Sequence, residues 1–220
     1  RFRNVTGVQT CALPIFHGIH DVFQLHDPPI DLLERDGSVM DAMETLRYEG
    51  KIRVIGISTR SPADSLAAVD RLGFKSIQVN FNLVDQRALE IGLYPACREQ
   101  GAGVIVRTPL CFGFLTGKYN AGDDYDEGDH RGRWKPEQIQ LWAEAYKLFQ
   151  TALTDRGEQN NAHVALRYVL SFEDVSTTIP GMLTEEHVAE NTKASDMGPL
   201  PPSVLAAFAD IYNKHRFFCR

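Results

Sequence analysis

From position 19 onward, the chain alternates between a period of two and a period of 3.6 in its apolar positions. Val22, Phe23 and Leu25 form a short apolar run ending at His26, and Pro28-Pro29 closes it because proline gives no N–H to a sheet ladder. This predicts a short buried strand over 22–26 and then a loop. Val39, Met43 and Leu46 recur at i, i+4 and i+7, which predicts a helix over 36–49 capped by Asp36 and stopped by Gly50. Ile52–Ser58 is a β-branched run and reads as the second strand. Ser61-Pro62-Ala63-Asp64 supplies a cap, an N1 proline and an acidic third residue for a helix with Leu66, Val69 and Leu72 on one face, ended by Gly73. A third strand over 76–81, a helix over 88–100 before Gly101, and a fourth strand begun by Val104-Ile105-Val106 and closed by Thr108-Pro109 follow.

The alternation then pauses. Residues 110–134 hold five glycines, many acids and no period, and read as a long loop. Helices over 136–156 and 161–171 precede a fifth strand, Val175–Ile179, stopped by Pro180-Gly181. Thr184 caps a helix to about 194, and residues 203–215 make a last helix with Leu205, Phe208 and Tyr212 on one face.

Five strands each followed by a helix require a parallel sheet, because parallel strands need crossover connections. Two architectures remain open: a doubly wound sheet or part of a barrel. No GxGxxG follows a strand and no GxxxxGK[ST] is present, so neither nucleotide fingerprint has support. A complete eightfold barrel takes about 250 residues. The pattern therefore fits an α/β chain forming a partial (β/α)8 TIM barrel: the last five βα units, strands 4–8, with a C-terminal helix.

Composition narrows the class. Apolar residues are 43% and charged residues 24%, as in ordinary globular proteins, and the net charge of −6 argues against nucleic-acid and anionic-membrane partners. No run approaches the roughly 18 apolar residues of a membrane span. Cys11, Cys97, Cys111 and Cys219 are scattered without CxxC spacing, which points to a reducing cytoplasm and to no metal site. The acids of 123–129 are glycine-spaced and read as a solvated loop, not a cation site. Residues 5–15, VTGVQTCALPI, look like a translated sequencing-library adapter; a signal peptide is the alternative, but Gly7, Gln9, Thr10 and Pro14 break its apolar stretch. Residues 1–15 are accordingly set aside, 16–220 are taken as one barrel domain, and the natural N-terminal part is expected to be missing.

Chemistry is expected at strand carboxyl ends, where parallel α/β proteins bind and react. His26 stands at such an end. Alone it is either an acid/base group or a histidine that hydrogen-bonds a loop. The ends read together: Gln24-Leu25-His26, Gly56-Ile57-Ser58-Thr59, Gln78-Val79-Asn80-Phe81-Asn82, Arg107-Thr108-Pro109-Leu110, Gly117-Lys118-Tyr119, and Ile179-Pro180-Gly181 with Glu190-Asn191. In that order and spacing they closely resemble the aldo-keto reductase family, from about residue 19 to 215. The resemblance implies a (β/α)8 barrel that reduces aldehydes or ketones with NADPH. It implies that His26 polarises and orients the substrate carbonyl, that Ser58, Thr59 and Gln78 hold the nicotinamide carboxamide, and that Thr108, Pro109 and Leu110 with Lys118 bind the pyrophosphate. Arg131 matches a loop arginine that closes over the cofactor. Gly181, His187, Glu190 and Asn191 match the adenosine end. Arg107 stands where the family typically has an aromatic ring, and Thr59 where it usually has Asn or Arg. The implied cofactor is NADP(H), with NAD(H) left open because Glu185 and Glu186 in the first turn of the helix disfavour a nearby 2′-phosphate.

The family's catalytic aspartate, tyrosine and lysine belong to its first three βα units and are matched by nothing here. The parent is therefore expected to be a reductase of a small carbonyl substrate, and these 220 residues alone to be inactive. The competing readings are a nicotinamide-nucleotide-binding regulatory or redox-sensing subunit with little turnover, and, outside the family, a sugar-phosphate or other lyase on a barrel, for which these strand ends lack the lysine or carboxylate cluster. Substrate identity and oligomeric state stay open.

Overall fold

The computed structural model describes residues 19–153 and 160–219. The adapter-like stretch lies outside them. Five strands occur in chain order in one sheet, β1-β2-β3-β4-β5. They are β1 (His20–His26), β2 (Ile52–Ser58), β3 (Ser76–Asn80), β4 (Gly103–Arg107) and β5 (Val175–Ile179). The order never reverses, whereas a doubly wound sheet has a switch point; an α/β fold with a parallel sheet, consistent with a (β/α)8 barrel, results. The helices are α1 (Ile30–Arg35), α2 (Ser38–Tyr48), α3 (Pro62–Leu72), α4 (Arg87–Glu90), α5 (Leu93–Glu99), α6 (Pro136–Gln150), α7 (Asn161–Leu170), α8 (Glu185–Asp196) and α9 (Pro202–Lys214). None of them is long and apolar enough to cross a membrane.

The chain forms two compact units: one on residues up to Val79 with Ile91–Val104, the other on Asn80–Glu90 with Ile105 onward. In the first unit, β1 and β2 pair in parallel with His20 opposite Ile52 and His26 opposite Ser58. β2 and β3 pair with Gly56 opposite Ser76 and Ser58 opposite Gln78. Alternation sends Ile55, Ile57, Ile77 and Val79 to one face, where all are buried. The other face carries Gln24, Gly56, Ser58, Ser76 and Gln78. Helix α3 starts as expected: the Ser61 hydroxyl accepts from the Asp64 N–H at 3.4 Å, Pro62 follows, and Gly73 closes the helix at φ +71°. Its buried side is centred on Ser65, Ala68 and Val69, while Leu66 and Leu72 are half-buried. Ala68 is fully buried, and α5 packs beside α3.

Several sequence expectations fail. β1 is an edge strand, not a buried one: Val22 is 44% exposed and His26 is exposed, because only β2 flanks it among the described residues. The expected loop after it contains α1, which buries Ile30 and Leu33 at i, i+3 and pairs Arg35 with Asp31 at 2.9 Å. The single helix expected over 88–100 is two, α4 and α5, broken at Gly92 with φ +73°. The helix expected over 136–156 ends at Gln150, and its last expected residues lie outside those described. The loop 110–134 contains two short 3-10 segments, Cys111–Thr116 and His130–Arg133.

The second unit has its own core. Phe81 is fully buried, stacked on Tyr168 at 5.4 Å and edge-on to Phe172 at 5.1 Å. Helix α7 packs against α8 and β5, and α6 packs against the first 3-10 segment. There Trp142 meets Phe112, Phe114 and Trp134 at 5.6, 5.9 and 5.0 Å between ring centres, so both tryptophans are packing residues.

Candidate functional site

The strand ends of the first unit carry a hydrogen-bonded polar row. Register puts Gln24, Gly56 and Ser76 side by side and, two residues further along, His26, Ser58 and Gln78. Steps of two keep all six on one sheet face. Gln24 crosses over β2: its Nε2 donates to Ser76 Oγ at 3.1 Å, and its Oε1 accepts from Gln78 Nε2 at 3.0 Å. Ser58 Oγ donates to Gln78 Oε1 at 3.0 Å. Glycine is required at 56 by close approach, since a Cβ there would stand 2.8 Å from Gln24 Cγ and 3.0 Å from both Ser76 Cβ and its carbonyl. Gln24 and Gly56 are thus site-forming residues that reading strand ends in isolation missed. The signal was present in the motifs, as a glycine beside a long amide two positions before each strand end.

His26 ends β1, and the residue after it is strained. Asp27 has φ +52°, its N–H donates to the Ser58 carbonyl at 2.7 Å, and its carboxylate meets Arg60 Nε at 2.9 Å. The turn after His26 is thereby tied to the end of β2. Thr59 stands apart from the row. It is buried and its hydroxyl is spent on the Ser61 carbonyl at 2.9 Å and Ser65 Oγ at 2.6 Å, inside the first turn of α3.

In the second unit, Arg107 ends β4, with its carbonyl accepting from the Phe81 N–H. Thr108 has φ +54°, donates through Oγ1 to Asn80 Oδ1 at 3.0 Å, and accepts at its carbonyl from Asn82 Nδ2 at 2.9 Å. Pro109 is buried and Leu110 precedes the first 3-10 segment, in which Cys111, Phe112 and Gly113 all have positive φ. Asn80 and Asn82, left unassigned by the sequence reading, shape this turn. Cys111 is buried, and burial pushes its thiol pKa well up, which makes it an inert packing group. Lys118 is exposed just after Gly117.

Arg131 is occupied within its own loop. Its Nη2 meets Asp129 Oδ2 at 2.7 Å, its Nη1 donates to the Phe112 carbonyl at 3.2 Å, and its guanidinium lies 4.1 Å from the Tyr119 ring centre. The Arg131 N–H and side chain together hold the Asp129 carboxyl below its usual pKa, the backbone N–H contributing most.

The last group surrounds α8. Thr184 caps it by accepting from the His187 N–H, and His187 Nδ1 accepts from the Leu183 N–H at 3.3 Å. Asn191 Nδ2 donates to the Gly181 carbonyl at 3.4 Å, so Asn191 ties the helix to the turn after β5. Glu190 bonds Lys193 and lies 3.1 Å from His163 Nε2; the lysine chiefly holds its carboxyl below the usual range. His163 is therefore Glu190's partner rather than a surface residue.

Comparison with known proteins decides the family. The family model described as "Aldo/keto reductase family" matches residues 19–213. This chain is an aldo/keto reductase family member. It is 31% identical over 159 residues to an aldo-keto reductase of Schizosaccharomyces pombe whose name specifies NADP(+), covering 70% of this chain and 46% of that protein. It is 29% identical over 187 residues to the L-glyceraldehyde 3-phosphate reductase of Escherichia coli O157:H7, covering 79% and 53%. Among solved structures, the glycerol dehydrogenase of Gluconobacter oxydans superposes with a TM-score of 0.72 at 25% identity, covering 97% of this chain and 64% of that one. The holo aldo-keto reductase of Bacillus halodurans gives 0.69 at 24% identity, covering 93% and 65%, a likeness of fold. The chain thus spans about half to two thirds of the length of these aldo/keto reductases.

Proposed function

We propose that the parent protein reduces the carbonyl of a small aldehyde or ketone with NADP(H), and that this chain supplies the nicotinamide end of the cofactor site and the carbonyl-orienting histidine. The observation that carries the reading is the in-register row of His26 and Ser58, at the carboxyl ends of β1 and β2, with Gln78, two residues before the end of β3. The row fits a primary carboxamide. Ser58 donates to Gln78 Oε1, and Gln78 Nε2 keeps one hydrogen beyond the bond to Gln24. That donor matches the C=O of a nicotinamide carboxamide. When bound, NADPH supplies the hydride. His26 Nε2 or Nδ1 would donate to the substrate oxygen, holding the carbonyl and stabilising the charge that develops on it. Thr108, Pro109, Leu110 and Lys118 serve the pyrophosphate in this reading, supported by the positive-φ turn and the exposed ammonium; Gly181, His187, Glu190 and Asn191 serve the adenosine end. Thr59 is read as a support of α3, and Arg131, paired with Asp129, as the clasp of its loop. Arg107 lies at the end of β4 with a guanidinium able to stack on a ring.

The five strands are read as strands 4–8 of the barrel, supported by their unreversed order. The 220 residues by themselves are read as inactive, since the family's proton-donating tyrosine and its lysine and aspartate partners are matched by no residue of this sequence. A reducing cytoplasm is the proposed setting, supported by the buried free thiols Cys97 and Cys111.

Titration of NADPH followed by its fluorescence tests the reading. The chain binds NADPH, Gln78→Ala weakens it, and aldehydes are not turned over above background. An unchanged affinity in Gln78→Ala overturns the site. Turnover that disappears in His26→Ala overturns the inactivity.

A further inference from the structure

We propose that residues 216–219 are a strap that seats the loop 110–134, and that Gln138 is the positioning residue that fastens it. The consequence for the cofactor rests on the reading of Lys118 and Arg131 as pyrophosphate residues; the strap itself does not. Gln138 stands in the first turn of α6 and is buried, so its amide needs partners. It finds both on the segment after α9. Its Nε2 donates to the Phe217 carbonyl at 2.8 Å, and its Oε1 accepts from the Cys219 N–H at 2.9 Å, across 79 and 81 positions of sequence. Both partners are backbone groups of fixed polarity, so only one orientation of the amide satisfies them.

The two bonds bracket residue 218. Phe217 is buried, stacked on Phe149 of α6 at 5.7 Å and on Tyr212 of α9 at 5.9 Å. Burial of that ring fixes the depth of the segment but not the direction in which the chain leaves it; the Gln138 bonds fix the direction and so aim Phe218. The Phe218 ring meets Trp142 edge-on at 6.0 Å, and Trp142 is the ring around which Phe112, Phe114 and Trp134 are gathered. The Arg87 guanidinium lies 4.9 Å from the centre of the same Phe218 ring. Arg87 is held bidentate by the buried Asp85, with both bonds at 2.7 Å; Asp85 pairs with Asn82 through the main chain, and Asn82 donates to the Thr108 carbonyl. Phe218 therefore joins the aromatic seat of the loop to the bonds that shape the Thr108 turn, all within the second unit.

The test measures hydrogen exchange in the whole chain at the Cys219 amide, across 117–134, and across β1–β3 as a reference. Gln138→Leu removes both bonds at similar size. The Cys219 amide is expected to lose about tenfold in protection and residues 117–134 about fivefold, with β1–β3 unchanged. Phe218→Ala loosens the loop to the same extent, and in that background Gln138→Leu loosens it no further, because Gln138 acts only through Phe218. Gln138→Glu separates fastening from mere packing. Protonated, its carboxyl has a donor and an acceptor, as the amide does; ionised, it has no hydrogen for the Phe217 carbonyl. Burial favours the protonated form, so protection of Cys219 and of 117–134 is expected to match the wild type at about pH 5 and to fall about fivefold below it at about pH 8. His215 lies beside Phe217, at 6.3 Å between ring centres, so each variant is compared with the wild type at the same pH. A loop unchanged in Gln138→Leu, an additive loss in the double variant, or a Gln138→Glu chain that differs from the wild type equally at both pH values overturns the proposal. NADPH titration is read separately, with about threefold weakening expected in Gln138→Leu. If the loop loosens while NADPH affinity stays the same, the strap stands and the pyrophosphate reading of Lys118 and Arg131 fails.

Discussion

In the first unit, the polar side chains are held across strands. Gln24 bonds residues 76 and 78, and the backbone under them is regular extended strand. In the second unit, Arg131 is held by Asp129 two residues away, and the preceding turn stores positive φ at Thr108, Cys111 and Phe112. The first arrangement is set by strand register, so it moves only if the sheet moves. The second is set by local bonds around a loop seated on aromatic rings, so it is expected to open without the sheet. In this chain, the proposed nicotinamide end is built in the rigid way and the loop bearing Lys118 and Arg131 in the detachable way.

That contrast gives three experiments. The largest effect is expected from Trp142→Ala, which empties the aromatic seat of Phe112, Phe114 and Trp134 and costs about 3–5 kcal/mol in chemical denaturation. A loss under 1 kcal/mol would mean the loop does not depend on that seat. Next, Arg131→Met keeps the packing of the side-chain stem but removes the bonds to Asp129 and Phe112. Limited proteolysis within 117–134 should rise about five- to tenfold, while hydrogen exchange in β1–β3 stays unchanged; matching changes in both regions would dissolve the distinction. The smallest effect is a pH dependence. Asp129's carboxyl is held below its ordinary pKa by the Arg131 N–H and guanidinium. A lowered carboxylate stabilises at pH above its unfolded value, near 4, and that contribution is lost as pH falls through the lowered one. Loop protection should therefore decline on acidification below about pH 4. The Gln24–Ser58–Ser76–Gln78 row, with no ionisable member, should keep its amide exchange protection over the same range. Protection of the loop that is flat with pH would show that Asp129 is not its clasp.

Much of the fold was legible because it depends on local pattern. β2 and β5 occupy the spans that β-branched runs predict, α3 begins at Ser61-Pro62, and Thr184 caps α8, all consequences of neighbours in the chain. The misses have separate causes. Gly92 splits a helix whose apolar period runs straight through it, and Ile30 with Leu33 makes a single turn too short to show a period. The edge position of β1 exposes a strand whose composition reads as buried. The first two lie within their segments, at a glycine with positive φ and in one short turn; only the third is set by what flanks the strand.

The candidate site divides in the same way. The residue types at the strand ends, His26, Ser58, Gln78 and Thr108, stand in the one-dimensional text, and so does the family they resemble. What no linear reading could supply is which hydrogen each of them has left to give. Thr59 spends its hydroxyl on α3, Arg131 spends its charge on Asp129, Glu190 spends its own on Lys193 and His163, and Gln78 gives an amide hydrogen to Gln24. The sequence by itself determined the order of strands and helices, through periodicity and caps that act within a few residues. Only the tertiary structure decided how polar groups are shared out, because each hydrogen bond is a competition among all groups within about 3 Å, and that neighbourhood is made by register and packing between residues distant in the chain.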